Sequence, residues 1–172
     1  MANLILKEFR CVEETDEAGA DSPYFVVFVG HPGKPESADV KMIRKGEWDN
    51  EVSTGDLLVA NVPVASGVDT NTLVLVALME EDVNPDIAGT ELSNVRNWMK
   101  AVFQAFGSIN GASAAQLSPL VMPEFIKALN ANLTNDDVVG ISRLSITTAS
   151  GLLPLINFFG DGGQYKVRFN MA

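Results

Sequence analysis

The chain contains one cysteine, Cys11, and one histidine, His31. An intramolecular disulfide is therefore excluded, as is any metal centre built from several thiolates or imidazoles. A metal held by this chain has to be held by oxygen, which selects hard cations such as calcium. Cys11 sits in LILKEFRCV (4–12) and reads as a buried strand thiol, which is chemically inert. Bases are also scarce, with 12 Lys and Arg against 22 Asp and Glu, a net charge of −10. A surface of that sign repels phosphate backbones, so no nucleic-acid partner is expected. Long apolar runs are missing too. Nothing approaches the roughly 18–20 residues that span a bilayer. MANLILKEFR at the start is too short in its apolar part for a signal-peptide core and shows no small-residue cleavage site. The expectation is a chain that is cytoplasmic, or exported without a recognisable signal peptide, with no transmembrane segment.

What is present is an ordinary globular composition, 47% hydrophobic over 172 residues, which suits a single domain over 1–172. The charge is unevenly spread. Residues 1–89 hold 17 acids and 6 bases, and residues 90–172 hold 5 acids and 6 bases.

The first half reads as strands. YFVVFV (24–29) and TLVLVALM (72–79) are short continuous apolar runs, the signature of strands buried on both faces. HPGKPES (31–37) reads as a loop from its Pro and Gly. Further strands are predicted over 38–46, 47–52 and 56–64. The period then changes. In ELSNVRNWMKAVFQAF (91–106), Leu92, Val95, Met99, Val102 and Phe106 recur at three- and four-residue steps, which predicts an amphipathic helix capped by Gly107. A second helix is predicted over 118–133, starting at Ser118-Pro119 or restarting at Pro123. Strands return over 140–149, then 152–159 and 164–171, the last two as a hairpin around GDGG (160–163). Tyr165, Val167, Phe169 and Met171 alternate with Gln164, Lys166, Arg168 and Asn170, as in a strand with one wet face. The expected fold is mainly β: an antiparallel β-sandwich with strands within 1–82 and 138–172 and a helical insertion at about 90–134.

Two stretches resemble a known family. TDEAGADSPYFVVFV (15–29) is similar to the first calcium loop of C2 domains, where Asp, Gly and a second Asp precede Pro-Tyr and an apolar strand. LVLVALMEEDVNPDIAG (73–89) is similar to that family's other calcium loop. Two departures stand out: Ser22 separates Asp21 from Pro23, and Glu80 occupies a position that is usually Asp. The resemblance implies a C2-like sandwich with Ca2+ between loops at one end. Asp16, Asp21, Glu80 and Asp82 would supply carboxylates. The set closes either locally, through Asp86 before Gly89, or beyond the helical insertion, where NDDVVG (135–140) returns Asp136 and Asp137 to the same end. The second closure is preferred. Carboxylates converging without a cation would repel and raise one another's pKa values, whereas calcium takes six to eight oxygens.

The expected function is accordingly a non-enzymatic, calcium-responsive binding module that meets a protein or a membrane surface. The alternative is a metal-free structural or interaction protein, with Trp98 and Phe103 on the helical insertion as partner or oligomer surface. An acidic-site hydrolase using Glu80, Glu81 and Asp82 is the third reading, and nothing in the sequence demands it. His31 lies in a predicted loop with no assignable partner. GDGG lacks the Lys-Ser/Thr that follows a phosphate-binding loop.

Overall fold

The computed structural model describes residues 2–15, 22–44, 52–81, 89–134 and 136–172. Among these residues, nine strands and two helices follow in the order β1 (Ala2–Glu13), β2 (Pro23–His31), β3 (Lys34–Ile43), β4 (Leu57–Val68), β5 (Leu73–Glu80), α1 (Gly89–Phe106), α2 (Ala114–Asn132), β6 (Asp137–Leu144), β7 (Gly151–Leu152), β8 (Ile156–Gly160) and β9 (Gly163–Met171). They form two antiparallel sheets. One runs β4-β1-β9-β7, with β8 also on β9; the other runs β3-β2-β5-β6. The chain is therefore a mainly-β sandwich with a helical insertion.

The helices form a third layer, on the outer face of the four-stranded sheet. That placement explains the two apolar runs. From β2, Phe25, Val27 and Val29 enter the core between the sheets, while Tyr24, Val26 and Phe28 face the helices. From β5, Val74, Val76 and Leu78 point one way and Leu73, Leu75, Ala77 and Met79 the other. A strand with two dry faces has no position for a polar residue, so alternation disappears from its sequence. Val95, Met99 and Phe103 of α1 and Leu117, Val121, Phe125 and Leu129 of α2 complete the second core. No helix among the described residues is long and apolar enough to cross a membrane.

The sandwich is closed along one side and open along the other. At the closed side a Cβ on Gly160 of β8 would lie 2.2 Å from the Val139 carbonyl oxygen of β6, so the two backbones touch there. At the open side a cleft of about 450 Å³ separates β3 from β4 and reaches Val27 and Val29 at its floor.

Several local expectations are corrected. HPGKPES is not a loop: β2 runs to His31 and β3 starts at Lys34, leaving a two-residue turn with Gly33 at φ 82°. The second helix starts at Ala114, ahead of both prolines. Ser113 accepts a hydrogen bond from the Gln116 N–H while the Gln116 side chain accepts from the Ser113 N–H, a reciprocal cap that satisfies two orphan donors. Pro119 and Pro123 lie inside the helix, so packing of its apolar face outweighs two lost backbone hydrogen bonds. The strand predicted over 140–149 is Asp137–Leu144. The strand predicted over 47–52 falls almost wholly outside the described residues. The GDGG turn forms as expected, with Asp161 at φ 50° and Gly162 at φ 73°. Positive φ at both central residues matches the twist of a two-residue hairpin.

Candidate cation site at the acidic end of the central sheet

Strand register brings three distant segments into one row. Pro23 at the start of β2 stands opposite Glu80 at the end of β5, and Glu80 stands opposite Asp137 at the start of β6. Glu80, Asp136 and Asp137 therefore share one end of the four-stranded sheet, as the closure beyond the helices requires. Asp16, Asp21, Asp82 and Asp86 lie outside the described residues.

The acids at this end do not form one flat cluster. Residues directly opposite across strands share a face, so Glu80 and Asp137 lie on the sandwich side. Asp136 is engaged on the helix side, where the Tyr24 hydroxyl donates to its Oδ2 at 2.6 Å. Burial, then the hydrogen bond to Asp136 and that residue's charge, push the pKa of Tyr24 far above the ordinary tyrosine value. The charges of Glu81 and of Glu91, in the first turn of α1, add to the shift. Tyr24 thus stays a donor, and its phenol ties the acidic end to the helical layer.

Glu80 is a buried carboxylate, 3% exposed. Its Oε1 accepts the Ser22 N–H at 3.0 Å, and the Glu81 N–H in turn donates to the Ser22 carbonyl at 3.3 Å. The segment entering β2 is thereby stitched to the segment leaving β5. Asp137 is exposed. Among the described residues no group of three or more His, Cys, Asp or Glu side chains is arranged to hold a metal. The described part thus contributes a scaffold and carboxylates on both faces of a sheet edge. Six to eight oxygens for calcium would need the acids of the adjoining segments as well.

The helical layer divides the two residues assigned to a partner surface. Trp98 is 38% exposed and its Nε1–H points to Glu124 Oε2 at 3.4 Å. It borders an open groove of about 520 Å³ with Asn94, Asn97, Val102 and Asn132. Phe103 is fully buried, edge-on to Phe28 with ring centroids 5.4 Å apart. It is a core residue and cannot belong to a surface, because the helix stripe turns it onto the sheet.

His31 has a partner after all. Its Nδ1 lies 3.1 Å from the hydroxyl of buried Thr72, which donates to Asp69 Oδ1 at 3.1 Å. Sequence reasoning missed this contact because it placed His31 in a loop. It also missed the Tyr24–Asp136 bond, which spans 112 positions; only the repeated acid pair before a strand hinted at it. No protein-family model matches the chain, and no curated protein matches it significantly.

Proposed function

We propose that the chain is a non-enzymatic, calcium-responsive binding module whose cation is held at the acidic end of the central sheet. The observation that supports it is the row Pro23, Glu80, Asp137. In the sequence, TDEAGAD runs up to Ser22, EEDVNPD begins at Glu80 and NDD ends at Asp137. All three acid-bearing stretches therefore join the sheet at this row. Asp137, with Asp16, Asp21 and Asp82 of the adjoining segments, would supply carboxylates to the ion; Asp136 would reach it only through the oxygen not bound by Tyr24, and Glu80 contributes chiefly by fixing the Ser22 segment. A bound cation neutralises an end that otherwise repels anionic partners. The partner then meets it as a protein or an anionic membrane surface.

Thermal unfolding in EDTA, in millimolar calcium and in millimolar magnesium tests this reading. An ion that binds only the folded state stabilises it by about 2.7 kcal/mol at one hundred times its Kd. For a chain of this size that raises the midpoint by roughly 5–10 °C. Calcium is expected to give such a shift, magnesium little of it, and Asp137→Asn to reduce it. An unchanged midpoint at about 5 mM calcium refutes the proposal. In that event the metal-free reading stands, and the exposed Trp98 beside its groove marks the helical layer as the place to seek a partner.

A further inference from the structure

The helices cover one sheet; among the described residues nothing packs on the outer face of the other. In β1 and β9, Leu4, Leu6, Phe9 and Cys11 and Tyr165, Val167, Phe169 and Met171 enter the core. The residues between them face outward, and Lys7, Arg10, Lys166 and Arg168 among them are basic. Arg10 stands opposite Lys166, and Arg168 stands opposite Glu8. Lys7 donates to Asn61 Oδ1 at 2.8 Å. On the paired positions of β1 and β9, four of the chain's 12 bases share this face with two of its 22 acids, Glu8 and Glu13.

The centre of the face is frustrated. Glu8 lies 3.8 Å from Arg168, but the row Leu57, Arg10, Lys166, Asn157 contains no carboxylate. Like charges directly opposite on neighbouring strands destabilise a sheet. Large apolar side chains sit at the end of this row and beside it: Leu57 and Val59 on β4 and Phe159 on β8 are 50%, 59% and 63% exposed.

We propose that this basic face docks the acidic end of a second copy of the chain, head to tail. Charge complementarity within one molecule carries the assignment. The face is net basic on a strongly acidic chain, and the exposed Asp137 offers a carboxylate at the end of the other sheet. A carboxylate set against Arg10 and Lys166 relieves their mutual repulsion, while Leu57, Val59 and Phe159 lose exposed apolar area. The two surfaces differ, so the contact is heterologous and repeats along a row of copies unless the rotation closes a ring. It requires no metal; a cation held by Asp137 would compete with it, so association is measured in EDTA.

Sedimentation velocity over a range of protein concentrations, in about 50 mM and about 500 mM salt, tests the proposal. The average sedimentation coefficient should rise with concentration at low salt and return to the monomer value at high salt. Arg10→Glu with Lys166→Glu should weaken association by at least about tenfold, as should Asp137→Lys. These residues are exposed, so folding is checked by an unchanged thermal midpoint. Mixing the two variants should restore an association that neither shows alone, because one keeps its acidic end and the other its basic face. A monomer at every concentration in low salt overturns the proposal, as does association indifferent to the Arg10 and Lys166 reversals or a mixture that stays monomeric. A monomer that instead co-sediments with phosphatidylserine vesicles through Arg10 and Lys166 reassigns the face to lipid.

Discussion

Replacing Gly30 by alanine probes the seam between the sheet and the helices with a single methyl group. Its Cβ would lie 2.7, 2.8 and 3.0 Å from Cζ, Cε1 and Cε2 of Phe103, well inside the roughly 3.5–4.0 Å optimum for carbon pairs. The ring has nowhere to go. On its other side the same ring stands 2.8 and 2.9 Å from where a Cβ on Gly107 would be, and it packs edge-on to Phe28. Phe103 is clamped between two glycines, one on β2 and one just past α1. Gly30 does not adopt a positive φ, so alanine strains no backbone there and even gains about 0.4–1 kcal/mol through the unfolded chain. Overpacking costs about 1–3 kcal/mol and decides the sign. The expected net loss is about 1–2 kcal/mol, or roughly 2–8 °C in Tm for a chain this long. Urea unfolding followed by circular dichroism measures it. Phe103→Leu alone should also destabilise, but combined with Gly30→Ala it should cost less than the sum by at least about 0.5 kcal/mol. A Gly30→Ala protein as stable as wild type, or strict additivity in that cycle, would show that the glycine socket does not constrain the ring.

Two further substitutions test contacts described above. Tyr24→Phe removes the donor to Asp136 and should cost about 1.5–3 kcal/mol near neutral pH by the same urea assay. The pKa of Tyr24 is raised by folding, so its neutral form is favoured in the native state; the associated stability is complete below the unfolded value near ~10 and falls as pH rises beyond it. Stability between pH 9 and 11.5 should therefore decline less steeply in Tyr24→Phe than in wild type, and parallel declines would contradict the assignment. Ser113→Ala removes one half of the α2 cap and should cost about 1 kcal/mol, whereas Ser113→Asp should restore most of it.

The architecture was legible where burial leaves a periodic mark. Continuous runs at 24–29 and 72–79 announced strands covered on both faces, and the stripe of Val95 and Met99 announced the layer that covers one of them. Boundaries depended on chemistry that competes with composition. HPGKPES carries two prolines and a glycine, yet only Pro32 and Gly33 form the turn, because Lys34–Ile43 pairs with β2 at the sheet edge, where proline is tolerated. Ser113 and Gln116 spelled a capping box five residues before the expected start, and the prolines behind it drew attention away. Phe103 lies one turn from Met99 on the buried side, whereas Trp98 faces outward; the sequence alone did not separate a core aromatic from an exposed one. The acidic end was half legible. The return of NDD before a strand pointed to one shared end, but strand register decides which carboxylates oppose one another, and the hydrogen bonds of Tyr24 and Ser22 depend on that register.

Charge shows why the linear reading fell short. Along the chain the acid excess lies in residues 1–89 and the remainder is nearly neutral, which suggests an acidic half and a neutral half. Antiparallel pairing of β1 with β9 undoes that division. It sets Arg10, from the acidic half, directly against Lys166 from the other. In the same way β6 delivers Asp136 and Asp137, acids of the nearly neutral half, to the end where Glu80 emerges. The folded molecule thus sorts charge by surface: carboxylates gather where β2, β5 and β6 meet, and bases gather on the uncovered sheet. Neither surface lies within a contiguous stretch of sequence. Each pairs residues distant in sequence, Glu80 with Asp137 and Arg10 with Lys166, so any function that uses them is lost with the pairing, even where every charged side chain is kept.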